Sequence, residues 1–134
     1  MLRLLDTDTV IYILKRRPPD VAVHFERCSP EEVAISVVSI AELMYGAEKS
    51  QNPVRARRAV ERVAGVLRVL PFDESAARIY GKVRSHLEKL GTPIGALDTL
   101  IGAHALSARA TLVTNNVREF ERIPGLRVEN WTVA

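Results

Sequence analysis

Three carboxylates stand far apart in the chain but in comparable settings. Asp6 follows directly on the apolar run Leu2 to Leu5, Glu42 lies within the first turn of a helical segment that follows Val33 to Ser36, and Asp98 sits in the segment Ala96 to Ala108. The run Thr111 to Val113 ends in the polar triplet Thr114, Asn115 and Asn116. In an open parallel sheet, ligands bind beyond the carboxyl ends of the strands, so these residues would meet at one edge. Acids gathered there repel one another unless a divalent cation neutralises them, and an all-oxygen ligand set suits Mg²⁺ or Mn²⁺. Each acid also has a plainer reading. Asp6 could cap a helix starting near Thr9, and Ser39-Ile40-Ala41-Glu42 fits a capping box. Asp98 has no such explanation, because Ala96 and Leu97 before it already read as helical and its surroundings are apolar. Gly95 and Gly102, on either side of it along the helix, would leave a recess above the carboxylate.

The elements that must position these acids alternate along the chain. Leu2 to Leu5, Val33 to Ser36, Arg68 to Leu70, Thr111 to Val113 and Leu126 to Val128 are short β-prone runs, several of them continuously apolar, as strands buried on both faces are. Thr9 to Arg16, Ser39 to Lys49, Val54 to Leu67, Glu74 to Leu90 and Ala96 to Ala108 have helical period. Pro18-Pro19 breaks the first helix, while Pro53 and Asp73 stand where helices would begin. Strands alternating with helices predict an α/β fold, a mainly parallel sheet covered on both faces.

The chain has 134 residues, 47% of them hydrophobic, enough for one domain spanning residues 1–134 with its own core. A single cysteine, Cys28, excludes a disulfide framework or a thiolate metal cluster and reads as a buried apolar residue in a cytoplasmic protein. No apolar run approaches the length of a membrane helix. His24, His86 and His104 fall on separate helical segments at no metal-ligand spacing. The net charge is +3, yet residues 49–68 carry Lys49, Arg55, Arg57, Arg58, Arg62 and Arg68 against Glu61 alone. Such a stripe is the footprint of a polyanion partner or simply a solvated helix face.

Leu4-Leu5-Asp6-Thr7-Asp8, the stretch from Ser36 to Leu43 with Tyr45-Gly46-Ala47-Glu48-Lys49-Ser50, Pro93-Ile94-Gly95-Ala96-Leu97-Asp98, Leu112-Val113-Thr114-Asn115-Asn116 and Arg118-Glu119-Phe120 together resemble the PIN-domain ribonucleases, specifically the VapC-type toxins of bacterial toxin–antitoxin pairs. The resemblance extends over essentially the whole length. It implies a three-layer α/β/α fold with a central, mainly parallel sheet of four or five strands. It further implies that Asp6, Glu42 and Asp98 hold Mg²⁺ for hydrolysis of an RNA phosphodiester, with Thr7 and Thr114 as supporting hydroxyls. Asp8 stands where the family often has Asn, and Asn116 where many relatives have Asp, so Glu119 one turn later is the candidate substitute. The closing stretch from Pro124 to Trp131 is similar to a subgroup that cuts initiator tRNA. A small antitoxin of the VapB type, whose end lies across the acids, and a homodimer are implied as partners. Lys15, Arg16, Arg17, Lys49, Arg55, Arg58 and Arg62 are the candidates for RNA phosphates.

Two other readings stay open at this point. Leu4 to Val10 also fits the aspartyl-nucleophile signature of haloacid-dehalogenase-type phosphatases, with Asp6 attacking phosphorus and Asp8 as general acid, although the chain lacks a later Asp-Asp pair. A binding module that retains only vestigial acids would equally tolerate Asn116.

Overall fold

In a computed structural model, which describes residues 1–132, five strands run in parallel: β1 (Arg3–Leu5), β2 (Val33–Ser36), β3 (Arg68–Leu70), β4 (Thr111–Val113) and β5 (Val128–Glu129). Their order across the sheet is β3-β2-β1-β4-β5. The chain thus builds outward from β1 in one direction, then returns to its other side at β4. Leu5 lies opposite both Ile35 and Val113. Side chains alternate between the two faces, as the pleat requires. Leu5, Val33, Ile35 and Val113 enter one core cluster, and Leu4, Ala34 and Leu112 the other.

Helices cover both faces. The first core is closed by α1 (Thr7–Lys15), α2 (Pro19–Glu26), α3 (Val37–Lys49) and α4 (Pro53–Val66), through Val10, Val21, Leu43 and Val60, with Trp131 sealing it near the chain's end. The second is closed by α5 (Glu74–Lys89), α6 (Ala96–Ser107) and α7 (Val117–Phe120), through Val83, Leu87, Ile101 and Phe120. This is the three-layer arrangement expected from the alternation of strands and helices.

Four local expectations need correction. Pro18-Pro19 does end α1, which stops at Arg16 with φ 55°, but Pro19 also opens a second helix that the sequence reading lacked. A proline at the first helical position loses no hydrogen bond, so the same pair acts as stop and start. The last strand is Val128–Glu129 and not Leu126 to Val128, because Gly125 at φ 80° and a bond from the Leu126 amide to the Ile123 carbonyl keep Leu126 in a turn. Most consequentially, α3 starts at Val37 with no loop after β2, and its cap is Ser36, whose Oγ accepts from the Val38 amide at 3.0 Å. The Ser39 to Glu42 capping box therefore does not form; Ser39 lies buried inside the helix. Cys28, finally, is half-buried against the first core, its thiol donating to the His24 carbonyl.

A buried polar contact ties the two helices that carry Glu42 and Asp98. His104 of α6, 3% exposed, lies with Nδ1 2.8 Å from Ser36 Oγ and packs edge-on to Phe72. Burial holds the imidazole below its ordinary pKa. The imidazole and the Ser36 hydroxyl share this hydrogen bond, and the same hydroxyl caps α3. His104→Ala should lower unfolding free energy by about 2–4 kcal/mol through the cavity and the orphaned serine. Urea denaturation checks this, and a loss below about 0.5 kcal/mol would mean that the contact does not tie the helices.

Candidate active site

The strand order reverses between β1 and β4, and the crevice at that reversal opens beyond their carboxyl ends. Asp6 stands there, 5% exposed. Its amide donates to the Val113 carbonyl at 3.0 Å, extending the β1–β4 pairing by one residue, and its Oδ1 accepts from the Thr9 amide at 2.8 Å as the cap of α1. Thr9 Oγ1 donates to the same Val113 carbonyl at 3.1 Å. The capping role read from the sequence is therefore real, and it fixes one carboxylate oxygen. The sequence marks Thr9 only as a helix start, although its spacing of three from an Asp cap is the signal for this contact.

Glu42 projects from the second turn of α3 and accepts from Thr7 Oγ1 at 2.6 Å, so the supporting hydroxyl expected at Thr7 contacts this acid across a separation of 35 residues. Asp98 lies in the first turn of α6, capped by Gly95 without a side-chain bond. A Cβ at Gly95 would come 3.8 Å from Asp98 Oδ2, an ordinary contact, so this glycine does leave open space beside the carboxylate. Gly102 does not: a Cβ there would meet Ile123 Cδ1 at 2.5 Å, and the residue serves the close packing of α6 against the α7 region. Thr114 is fully buried, and its Oγ1 accepts from the Asn116 amide at 2.9 Å. Asn116 Nδ2 donates to Glu119 Oε2 at 3.0 Å. Asn116 brings no charge of its own but aims the charge of Glu119.

Electrostatics shows that these acids share one place. Burial, followed by the charges of Glu119, Glu42, Asp6 and Asp8, pushes the Asp98 carboxyl up to about 6. Burial likewise raises Asp6, opposed by its bonds with Thr114 and Thr9. None of the ion pairs among the described residues involves Asp6, Asp8, Glu42, Asp98 or Glu119. A phosphatase of the aspartyl-nucleophile type would need a lysine against these groups. Exposed Asp8 adds to the field without a bond of its own among the described residues.

The donor set, all carboxylate oxygen with amide and hydroxyl support, fits a hard divalent cation. Among the described residues no three acidic, histidine or cysteine side chains converge closely enough to hold an ion as they stand. Like charges without a cation repel one another, and that repulsion adds to the burial that raises Asp98. The basic candidates are dispersed. Lys15 and Glu42 border the same apolar groove between α1, α3 and α4, Arg16 and Arg17 are exposed after α1, and Arg55, Arg58 and Arg62 are exposed on α4 with no ion pair to the acids.

A stability prediction follows from Asp98. Its folded pKa of about 6 lies above the ordinary 3.8, so between pH 4 and 6 the folded state keeps a proton that the unfolded chain has lost. The stabilisation is complete below pH 4 and is lost as pH rises through 6. In metal-free buffer at pH 7, Asp98→Asn should be more stable than the parent by about 1 kcal/mol after solvent screening, with the difference vanishing below pH 4. Thermal melts of both across that range check it; a less stable variant at pH 7 contradicts the shared field.

Comparison with known proteins bears on the same arrangement. The PIN domain family model matches residues 3–126. The tRNA(fMet)-specific endonuclease VapC of Salmonella typhimurium is 43% identical over 128 residues, 96% of each chain, and Ribonuclease VapC2 of Haemophilus influenzae is 41% identical over the same share. Among solved structures, DNA-bound VapBC from Salmonella typhimurium superposes with a TM-score of 0.91 at 43% identity, covering 98% of this chain and 99% of the other. VapBC2 from Rickettsia felis, bound to a promoter DNA fragment, gives 0.90 at 35% identity over 98% and 99%. With a parallel sheet whose carboxyl edge gathers Asp6, Glu42, Asp98 and Glu119, and with relatives matched over nearly their full length, the chain belongs to the PIN domain family of ribonucleases.

Proposed function

We propose that this chain is the toxin of a toxin–antitoxin pair, a cytoplasmic Mg²⁺-dependent endoribonuclease that cuts the anticodon stem-loop of initiator tRNA. The observation that carries the reading is the placement of Asp6, Glu42, Asp98 and Glu119 at the carboxyl edge beside β1 and β4, with no ion pair to any of them among the described residues. Asp6, Glu42 and Asp98 are the proposed metal ligands and catalytic acids, Mn²⁺ being an alternative ion of the same coordination chemistry. When bound, the metal lowers the pKa of a water and offsets charge developing on the phosphoryl oxygens.

The chain's own groups supply position. The Thr9 amide holds Asp6, Thr7 holds Glu42, and Asn116 directs Glu119 toward the side of Asp98, where a fourth acid is otherwise missing. Water attacks the phosphorus in line, the bond to the 3′ oxygen breaks, and the proton passes to that leaving oxygen. The products carry a 5′ phosphate and a 3′ hydroxyl. An unpaired loop can lower its phosphate to acids recessed at a sheet edge, which a stacked A-form stem resists. The names of relatives 43% and 41% identical supply the choice of initiator tRNA.

Asp98→Asn and Glu42→Gln should each reduce tRNA cleavage by roughly 100-fold or more, as EDTA does, while both proteins remain folded. Mapping 5′ ends across total RNA after brief induction should give one dominant cut in the initiator anticodon loop. Dispersed messenger cuts would refute the substrate, and wild-type rates in Asp98→Asn would refute the site.

The antitoxin is proposed to lay an apolar segment in the groove formed by Ile11, Leu43, Ala47 and Val60, so that a basic residue reaches past Glu42 to the acids. Val37 and Leu97, exposed at the starts of α3 and α6, offer apolar surface for a homodimer. Co-expression with the neighbouring small reading frame should yield a complex without cleavage, sedimenting as more than one copy of the 14.9 kDa chain; free, active monomer would refute both partners.

A further inference from the structure

Of the chain's three Tyr, three Phe and one Trp, Tyr45 alone is exposed, at 64%. The others are sheltered: Phe120 and Trp131 are buried, Tyr12 is bonded by Asn115, and Tyr80 by Arg84. Tyr45 lies on α3 three residues after Glu42, and Lys49 follows four residues later, so the three share one helical face. Leu43 and Ala47 turn the opposite way, into the core. Lys49 Nζ stands 4.6 Å from the centre of the Tyr45 ring. One face of the ring is therefore taken by a cation, and the ring carries no hydrogen bond through its hydroxyl among the described residues.

We propose that Tyr45 and Lys49 form a nucleotide subsite beside the acids: a base of the RNA stacks on Tyr45 while its phosphate meets Lys49. The inference rests on the ribonuclease reading above and names where substrate is held. A phosphodiester brought to Asp6, Glu42 and Asp98 approaches net negative charge, so its flanking phosphates need a cation close by. Along α3, Tyr45 lies about 4.5 Å and Lys49 about 10.5 Å beyond Glu42, the range of a neighbouring nucleotide. An aromatic face with a cation against it is the recurring device for holding single-stranded RNA without reading its sequence. A purely apolar partner would leave the Lys49 ammonium without a counter-charge.

The test measures RNA affinity and cleavage for Tyr45→Ala, Tyr45→Phe and Lys49→Gln, using tRNA and a short anticodon-loop RNA. Affinity is read in the Asp98→Asn background, where bound RNA survives. Tyr45→Ala should raise Kd and KM roughly tenfold or more with kcat within about twofold, and Tyr45→Phe should restore parental values. Lys49→Gln should weaken binding and flatten its salt dependence by about one phosphate contact. An abasic nucleotide next to the scissile bond should cancel the effect of Tyr45→Ala. If the parent cleaves and binds RNA but Tyr45→Ala changes neither, or if the variant loses only self-association or antitoxin affinity, the subsite is wrong and the ribonuclease reading stands. If the parent binds no RNA, both fall. Melting temperatures equal to the parent's show that these exposed positions do not act through folding.

Discussion

The Val113 carbonyl is the contact on which the site depends. It accepts from the Asp6 amide and again from Thr9 Oγ1, so one oxygen at the end of β4 fixes both the strand that delivers Asp6 and the first turn of the helix that Asp6 caps. Two donors on one carbonyl lock the β1–β4 seam in position and orientation, and that seam is where the strand order reverses. From there the remaining acids are set by short links. Thr7, at the start of the same helix, reaches Glu42, while Thr114, the residue after Val113, leads through Asn116 to Glu119. Asp98 completes the set from α6, whose buried His104 is bonded to the Ser36 cap of the helix carrying Glu42. Asp6, Glu42 and Glu119 are thus held by hydroxyls and amides that belong to strand ends and helix starts.

This arrangement sets stability against charge. Asp98 occupies the first turn of α6, where the helix dipole favours an anion, yet burial and four neighbouring carboxylates outweigh that preference and push its pKa up. A salt bridge would relieve the strain at once, but the structure spends its arginines elsewhere. Arg3 joins Glu129 and Glu32 at the start of β1, Arg57 joins Glu48 on the surface, and Arg84 joins Glu88 along α5. Pairing any of these cations with the acids would stabilise the fold and fill the place that a divalent ion or an inhibitory basic side chain would take. On the proposed reading, the uncompensated charge is what makes the edge receptive to either.

Strand and helix alternation made the layered fold legible, because parallel strands buried on both faces must be continuously apolar. Asp6 was legible for a similar reason: a carboxylate directly after such a strand has nowhere to go but the sheet edge. Glu42 was harder. Ser39 three residues ahead of it mimics a capping box, and only the unbroken passage from β2 into α3 shows that the cap is Ser36 and that Glu42 is free to meet Thr7. The second helix escaped because a Pro-Pro pair encodes both an end and a beginning. Contacts such as His104 with Ser36, or Asn115 with Tyr12, join residues 68 and 103 positions apart and leave no local pattern in the sequence. Glu119 lay between these cases: its distance from Asn116 was visible, but its weight in the field at Asp98 depends on α7 being turned back toward α6.

The distribution of positive charge completes the electrostatic account. A net charge of +3 would suggest general attraction for a polyanion, yet the basic residues of α4 are exposed on its surface and none is bonded to the acids. Long-range attraction through that surface operates over about a Debye length, roughly 8–10 Å in physiological salt, and cannot by itself seat one phosphate among carboxylates. Seating requires cations at the border of the acidic patch. Lys15 at the end of α1 borders the groove that Glu42 also lines, and Lys49 lies on the face of α3 that carries Glu42. On the ribonuclease reading proposed above, the wide basic surface raises the local concentration of a polyanion, these two lysines set how it lies, and a divalent cation offsets part of the acids' charge. A site built on this division should bind nucleic acid weakly and diffusely without metal, and in a defined register with it.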